Sequence, residues 1–132
     1  MDFAKLKVLV VDDSVYKAMD ISRALEYCGI RKENIVRARH QESGFEKLYE
    51  GEAQGVPFGL IVTDMQYPLD AGKEEDTEAG FKLIERLKEE GIDIPVIICS
   101  SLNYTEPEIL GCVWYNEMRD LNRDFREVLK GL

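Results

Sequence analysis

The order of apolar and polar positions along the chain predicts alternating strands and helices. The first, third and fourth of five short apolar runs are almost continuous Val, Ile and Leu, which is typical of parallel strands covered on both faces. The second run alternates apolar and polar residues, so we expect it at an edge of the sheet. The five predicted strands are 6–12, 34–40, 59–64, 95–100 and 111–115.

Helical patterns separate these strands. Ser14 is a suitable N-cap, and Gly29 is typical of the residue that follows a helix. Between them, and after the later strands, apolar residues recur three or four positions apart, which predicts amphipathic helices. These stripes are Ala18, Ile21, Leu25 and Cys28; Phe45 and Leu48; Leu83, Ile84 and Leu87; and Met118, Leu121, Phe125 and Val128. The alternation predicts one doubly wound α/β domain over 1–132, with no second domain.

Composition narrows the class of protein. The 132 residues carry a net charge of −9, which argues against nucleic-acid binding through a basic surface. No apolar run reaches the roughly 20 residues of a membrane span, and the acidic start does not resemble a signal peptide. The cysteines, Cys28, Cys99 and Cys112, have unrelated spacings that fit neither a disulfide framework nor a metal motif. We therefore expect a cytoplasmic protein.

Reactive side chains follow three of the predicted strands. Asp12 and Asp13 end the first strand, Asp64 the third and Ser100 the fourth. In open α/β sheets ligands bind outside the carboxyl ends of the strands, so a strand order 2-1-3-4-5 would gather these side chains in one cleft. Carboxylates that close together repel unless a cation joins them, and Mg²⁺ prefers oxygen ligands and shares its sites with phosphate. An aspartate can also act as a nucleophile toward phosphorus.

Three motifs together resemble the response-regulator receiver domain of the chemotaxis-regulator type, over nearly the whole chain. They are "LVVDDS" with the acidic pair, "IVTDMQYP" with Asp64, and "PVIICSS" with Ser100. The resemblance implies a flavodoxin-like, five-stranded parallel sheet. It also implies a signalling protein rather than an enzyme, which accepts a phosphoryl group and acts through protein–protein interaction.

The resemblance implies a role for each site residue. Asp64 would be the phosphoacceptor. Asp13, Asp64 and the main-chain carbonyl of Gln66 would ligate Mg²⁺, with Asp12 acting mainly through water. Ser100, followed by Ser101, would contact the phosphoryl group as switch residues. A histidine kinase or phosphotransfer protein would be the donor, and a downstream protein the target; neither nucleic acid nor membrane is expected as a partner, and a homodimer is left open.

The chain departs from this family at the fifth strand. The family's lysine there is replaced by Tyr115, and the family's aromatic switch position falls on Cys112. A tyrosine offers the phosphoryl group one neutral donor in place of a charged one. We therefore expect phosphate transfer to survive and the response of strand five to weaken, with the change running through Ser100 and the loop 101–110.

Two connections also differ in length. Only ten residues, 101–110, join strands four and five, and Pro107 disfavours a helix, so we expect the fourth helix to be reduced or absent. The segment after Asp64 is longer than in the family and contains the acidic stretch 70–79. We interpret this stretch as a solvated loop, or as a lid or partner contact beside Asp64. Lys73 within it is one candidate to replace the missing lysine.

Three functions fit the sequence. The first is a single-domain receiver of a two-component phosphorelay. The second is a receiver-like interaction module that works without phosphorylation, which the missing lysine favours. The third is a Mg²⁺-dependent phosphohydrolase, which the sequence disfavours because that class would need a second acid where Gln66 stands.

Overall fold

A five-stranded parallel sheet forms the centre of the fold. The computed structural model describes residues 2–132. The sheet has the order β2-β1-β3-β6-β7, which is the predicted order 2-1-3-4-5 of the five main strands, with the second at an edge. Its strands are β1 (Val8–Val11), β2 (Ile35–Ala38), β3 (Leu60–Thr63), β6 (Val96–Ser100) and β7 (Gly111–Trp114). A separate hairpin contains β4 (Tyr67–Pro68) and β5 (Glu75–Asp76).

Helices cover both faces of the sheet. They are α1 (Val15–Tyr27), α2 (Gln41–Ala53), α3 (Ala79–Glu89) and α4 (Leu121–Leu129), with short 3-10 turns at Phe3–Lys5 and Lys32–Asn34. Successive residues of a strand point to opposite faces, so β1 contributes to two cores. Val8 and Val10 pack with α1 and α4, whereas Leu9 and Val11 pack with α2 and α3. The sequence prediction of strands buried on both faces is confirmed for β1, β3 and β6.

The helix boundaries follow the predicted local signals. The Ser14 hydroxyl accepts a hydrogen bond from the Lys17 amide at 3.3 Å and caps α1. Gly29 follows the end of α1 with a φ of 101°, a conformation that glycine adopts without strain. Between β6 and β7, residues 101–110 contain turns and bends but no helix, which confirms the loss of the fourth helix. Helix α4 therefore occupies the place of the family's fifth helix.

The acidic segment 70–79 is part of an ordered hairpin rather than a simple loop. Tyr67 and Pro68 of β4 pair antiparallel with Asp76 and Glu75 of β5. The Tyr67 side chain is fully buried in the core beneath α2 and α3, while the tip at 70–75 is exposed. The expectation of a solvated loop is thus correct for the tip alone, because the buried tyrosine anchors its base.

Candidate functional site

The three aspartates meet at the carboxyl edge of the sheet. Strands β1 and β3 are neighbours, with Val11 beside Thr63, so Asp12 and Asp64 leave the sheet side by side. The Asp64 amide continues the pairing by donating to the Val11 carbonyl at 3.0 Å. One carboxylate oxygen from each of Asp12, Asp13 and Asp64 lies within 4.8 Å of the others. The convergence predicted from the strand ends is confirmed.

The three carboxylates differ in environment. Asp12 is completely buried, and its Oδ1 accepts a hydrogen bond from the Ser14 amide at 2.9 Å. Burial raises the pKa of Asp12, although the nearby Lys17 opposes that effect. Asp13 is exposed, and Asp64 is partly exposed. The Asp64 Oδ1 accepts from the Met65 amide at 2.7 Å, which fixes the rotation of the carboxylate.

Lys17 places an ammonium group inside the cluster. Its Nζ lies 2.8 Å from Asp64 Oδ1 and 3.1 Å from Asp12 Oδ2, and it donates to the Cys99 carbonyl at 2.6 Å. The Lys17 side chain is only 9% exposed. Burial alone would lower the pKa of Lys17, but the negative charges of Asp12 and Asp64 outweigh it and raise that pKa. Lys17 is therefore a charged, buried counter-ion of two site carboxylates.

The position of Lys17 follows from the start of α1. Lys17 is the third residue of the helix after the Ser14 cap, so its side chain leaves the first turn near the end of β1. A cation is normally unfavourable in the first turn, where the helix dipole is positive, by about 0.3–1 kcal/mol. The two carboxylates offset that cost. In a capping box, the residue three positions after the serine is a glutamate or glutamine. Here that residue is Lys17, and this exception was the sequence signal that could have pointed to the site.

Lys73, the candidate named from the sequence, is not the lysine in contact with Asp64. Lys73 lies in the exposed tip of the hairpin, where its amide donates to the Asp70 carbonyl at 3.2 Å. The cation that contacts Asp64 is Lys17, which the sequence analysis did not single out. The lysine beside Asp64 therefore comes from α1 and not from the hairpin tip.

The remaining predicted site residues lie around the same edge. Ser100 is buried at the end of β6, and its hydroxyl accepts from the Leu102 amide at 3.2 Å. Ser101 is exposed, and its carbonyl accepts from the Trp114 indole at 3.0 Å. Gln66 is half-buried in the loop that follows Asp64. Their roles toward a phosphoryl group stay predictions.

The residue at the family's lysine position, Tyr115, has another partner. Its hydroxyl donates to the Asp20 carboxylate on α1, and its amide donates to the Ser100 carbonyl at 2.7 Å. The hydrogen bond to Asp20, together with burial, raises the pKa of Tyr115 to about 12. Lys17 Nζ lies 5.6 Å from the centre of the Tyr115 ring. In this structure the Tyr115 hydroxyl is therefore engaged by Asp20, and its contact with a phosphoryl group stays a prediction.

Cys112, at the family's aromatic switch position, packs against the hydrophobic core. It lies in β7 beside Ile98 and packs, half-buried, against the apolar cluster beneath α2 and α3. Burial raises the pKa of its thiol. A cysteine has no aromatic ring, so this position differs from the family's pattern in the structure as it does in the sequence.

The donor set fits a hard divalent cation. It consists of carboxylate oxygens, which Mg²⁺ prefers. Asp12 Oδ2 is a buried oxygen to which no group in residues 2–132 donates a hydrogen bond, since Lys17 faces it as an ion pair without hydrogen-bond alignment. Three carboxylates and one ammonium leave two net negative charges, which one divalent ion would neutralise.

Comparisons with known proteins bear on the fold. No family model matches the chain, and no curated protein is similar in sequence. Among solved structures, the chemotaxis response regulator CheY4 of Vibrio cholerae is 19% identical with a TM-score of 0.66, over 96% of this chain and 98% of that one. A receiver domain from Clostridium thermocellum is 16% identical with a TM-score of 0.66, over 95% and 91%.

A further neighbour gives the same result at lower identity. The signal receiver domain of a Luxo repressor protein from Vibrio parahaemolyticus is 13% identical with a TM-score of 0.66, over 96% of this chain and 88% of that one.

Among residues 2–132, none of the helices has both the length and the apolar character that a membrane span requires. The sheet order, the flanking helices and these neighbours together show that the chain has the fold of the CheY-like response-regulator receiver domains.

Proposed function

We propose that the chain forms a receiver domain that accepts a phosphoryl group on Asp64 in the presence of Mg²⁺. The observation that carries this proposal is the cluster of Asp12, Asp13 and Asp64 at the carboxyl edge of a receiver fold. A carboxylate in such a cluster is a nucleophile beside a site for the cation that phosphoryl transfer needs.

In the proposed transfer, some site residues would hold Mg²⁺ and Asp64 would attack the phosphorus. Asp13, Asp64 and the Gln66 carbonyl would hold Mg²⁺, with Asp12 behind them; when bound, the ion neutralises negative charge on the transferring phosphoryl group. Asp64 Oδ1 already accepts from Met65 and faces Lys17, which leaves Oδ2 for attack. A new bond forms between Oδ2 and phosphorus. The bond from phosphorus to the donor breaks, and its electron pair leaves with the donor group.

The donor that we propose is a phosphohistidine. In that case the phosphorus–nitrogen bond breaks, and the imidazole of a histidine kinase or phosphotransfer protein takes the electron pair and then a proton. The modified domain would signal by binding a downstream protein in the cytoplasm, without turning over a separate substrate. Similar solved domains from signalling proteins support this class of function for a fold of this kind.

Intact-mass spectrometry tests the proposal. The protein is incubated with Mg²⁺ and acetyl phosphate, and we expect a mass gain of one phosphoryl group that is lost in Asp64→Asn and when the metal is chelated. Peptide mapping should place the group on Asp64. If the wild-type protein gains no mass and also binds no beryllofluoride with Mg²⁺, the proposal is wrong.

A second function is an interaction module that works without phosphorylation. The observation that favours it is the ion pair between Lys17 and Asp64, which already satisfies the acceptor carboxylate in part. Under this alternative, Asp64→Asn would leave signalling in the parent organism unchanged. A clear loss of signalling in that variant would exclude it.

A further inference from the structure

We propose that Lys17 of α1 takes over the phosphoryl-binding role of the lysine that is missing from the fifth strand. The inference deepens the proposed function and rests on it. The missing charge has its replacement on a different element: the ammonium that contacts Asp64 comes from the first turn of α1 instead of the end of β7.

The geometry of Lys17 suits this role. Its Nζ donates a hydrogen bond to the Cys99 carbonyl and forms ion pairs with Asp64 and Asp12, and an ammonium group has three hydrogens to donate. Two of the three partners are carboxylates of the proposed Mg²⁺ site: Asp64 would hold the ion, and Asp12 lies behind it. With the cation and a phosphoryl group bound, these carboxylates would gain a stronger counter-charge, and the phosphoryl oxygens would offer Lys17 new anionic acceptors.

Two neighbouring side chains, Tyr115 and Arg37, have partners other than the Asp64 carboxylate. The Tyr115 hydroxyl is bound to Asp20, and Arg37 donates its Nε to the main-chain carbonyl of Asp12 at 3.1 Å. Lys17 is the cation that faces the Asp64 carboxylate among residues 2–132. It is also held over the Tyr115 ring, so a movement of Lys17 toward a phosphoryl group would change its contact with the end of β7. That contact gives β7 a path of response that does not need a lysine of its own.

The role predicts opposite effects on two ligands, which a purely structural role would not produce. Lys17→Met removes a positive charge from the metal site, so Mg²⁺ alone should bind at least about tenfold more tightly. It also removes a charged donor to the phosphoryl group, so beryllofluoride, measured at saturating Mg²⁺, should bind about 10- to 100-fold more weakly. Lys17→Gln, which keeps a neutral donor near the Cys99 carbonyl, should change both affinities in the same directions.

A second substitution restores the family's arrangement. Adding Tyr115→Lys to Lys17→Met places a lysine at the end of β7, and beryllofluoride binding should return to within a few-fold of the wild type. Lys73→Met is the matched control, since it removes an exposed lysine from the hairpin tip and should leave both affinities unchanged. Calorimetry measures Mg²⁺ binding, and the fluorescence of Trp114, the only tryptophan, measures beryllofluoride binding. Circular dichroism verifies that each variant is folded.

The outcomes separate this inference from the proposed function. If the wild type binds beryllofluoride and Lys17→Met and Lys17→Gln bind it equally well, Lys17 has no such role while the proposed function stands. If both variants lose Mg²⁺ and beryllofluoride affinity together, Lys17 acts only as a structural support, and the inference is also wrong. If the wild type itself binds no beryllofluoride and gains no phosphoryl group, the proposed function fails and this inference with it.

Discussion

Gly80 lies where α3 begins directly against the site loop, and replacing it with alanine tests how tightly that loop is held. Its amide donates to the Met65 carbonyl at 3.0 Å. A Cβ added at Gly80 would lie 2.8 Å from the Asp64 carbonyl oxygen and 3.1 Å from Met65 Cα. Both neighbours are backbone atoms, so relief requires either α3 or the loop after Asp64 to move.

The expected loss of stability follows from two opposing effects. Overpacking against backbone costs about 1–3 kcal/mol, while alanine in place of glycine in a helix gains about 0.5–1 kcal/mol. The two ranges leave a net loss of about 0–2.5 kcal/mol, so Gly80→Ala should lower the free energy of unfolding by about 1 kcal/mol. For a chain of 132 residues this is a fall in Tm of about 3–5 °C.

Gly44 provides the matched control. It also lies in a helix, α2, but an added Cβ would meet only side-chain atoms at distances from 3.4 to 3.8 Å. Gly44→Ala should therefore leave Tm unchanged or raise it, because the helical gain is not offset. Scanning calorimetry of both variants measures the difference. A Tm for Gly80→Ala equal to or above that of Gly44→Ala would refute the reasoning.

Three more predictions use other contacts. Tyr115→Phe removes the hydrogen bond to Asp20 but keeps the ring over Lys17, so urea unfolding should show a loss of about 1 kcal/mol while phosphoryl uptake on mass spectra persists. Burial raises the pKa of Cys99 from 9.0 to about 12, so the unfolded chain loses that proton first, and stability should fall as pH rises above 9. Cys99→Ala should reduce that fall by about 1 kcal/mol in denaturant titrations between pH 9 and 10, where the thiol of the unfolded chain goes from half to mostly ionised, and an unchanged slope would contradict the assignment. Arg86 stacks 3.8 Å from the Phe45 ring and joins α3 to α2, so Arg86→Ala should unfold at lower urea concentration than Arg86→Lys, which keeps the charge and the stem.

The sequence by itself determined the five strands of the main sheet, most helix ends and the acidic cluster. Apolar runs marked β1, β3 and β6 because strands buried on both faces must be apolar throughout. Ser14 marked the start of α1 through its own side chain, which is a local interaction. The shortness of 101–110 predicted the missing helix, since ten residues leave little room for one. The aspartates could be grouped because parallel strands end at one edge of the sheet.

Only the tertiary structure decided how the site is completed. Lys17 reaches residues 64 and 99, which are far away in sequence, because α1 packs over the sheet at one particular angle. The hairpin after Asp64 is ordered because Tyr67 is buried in a core that spacing alone does not reveal. The Tyr115 hydroxyl turns to Asp20, an outcome set by the distance between β7 and α1. Periodicity states which face of an element is apolar, whereas the partner of a polar side chain depends on how distant elements pack together.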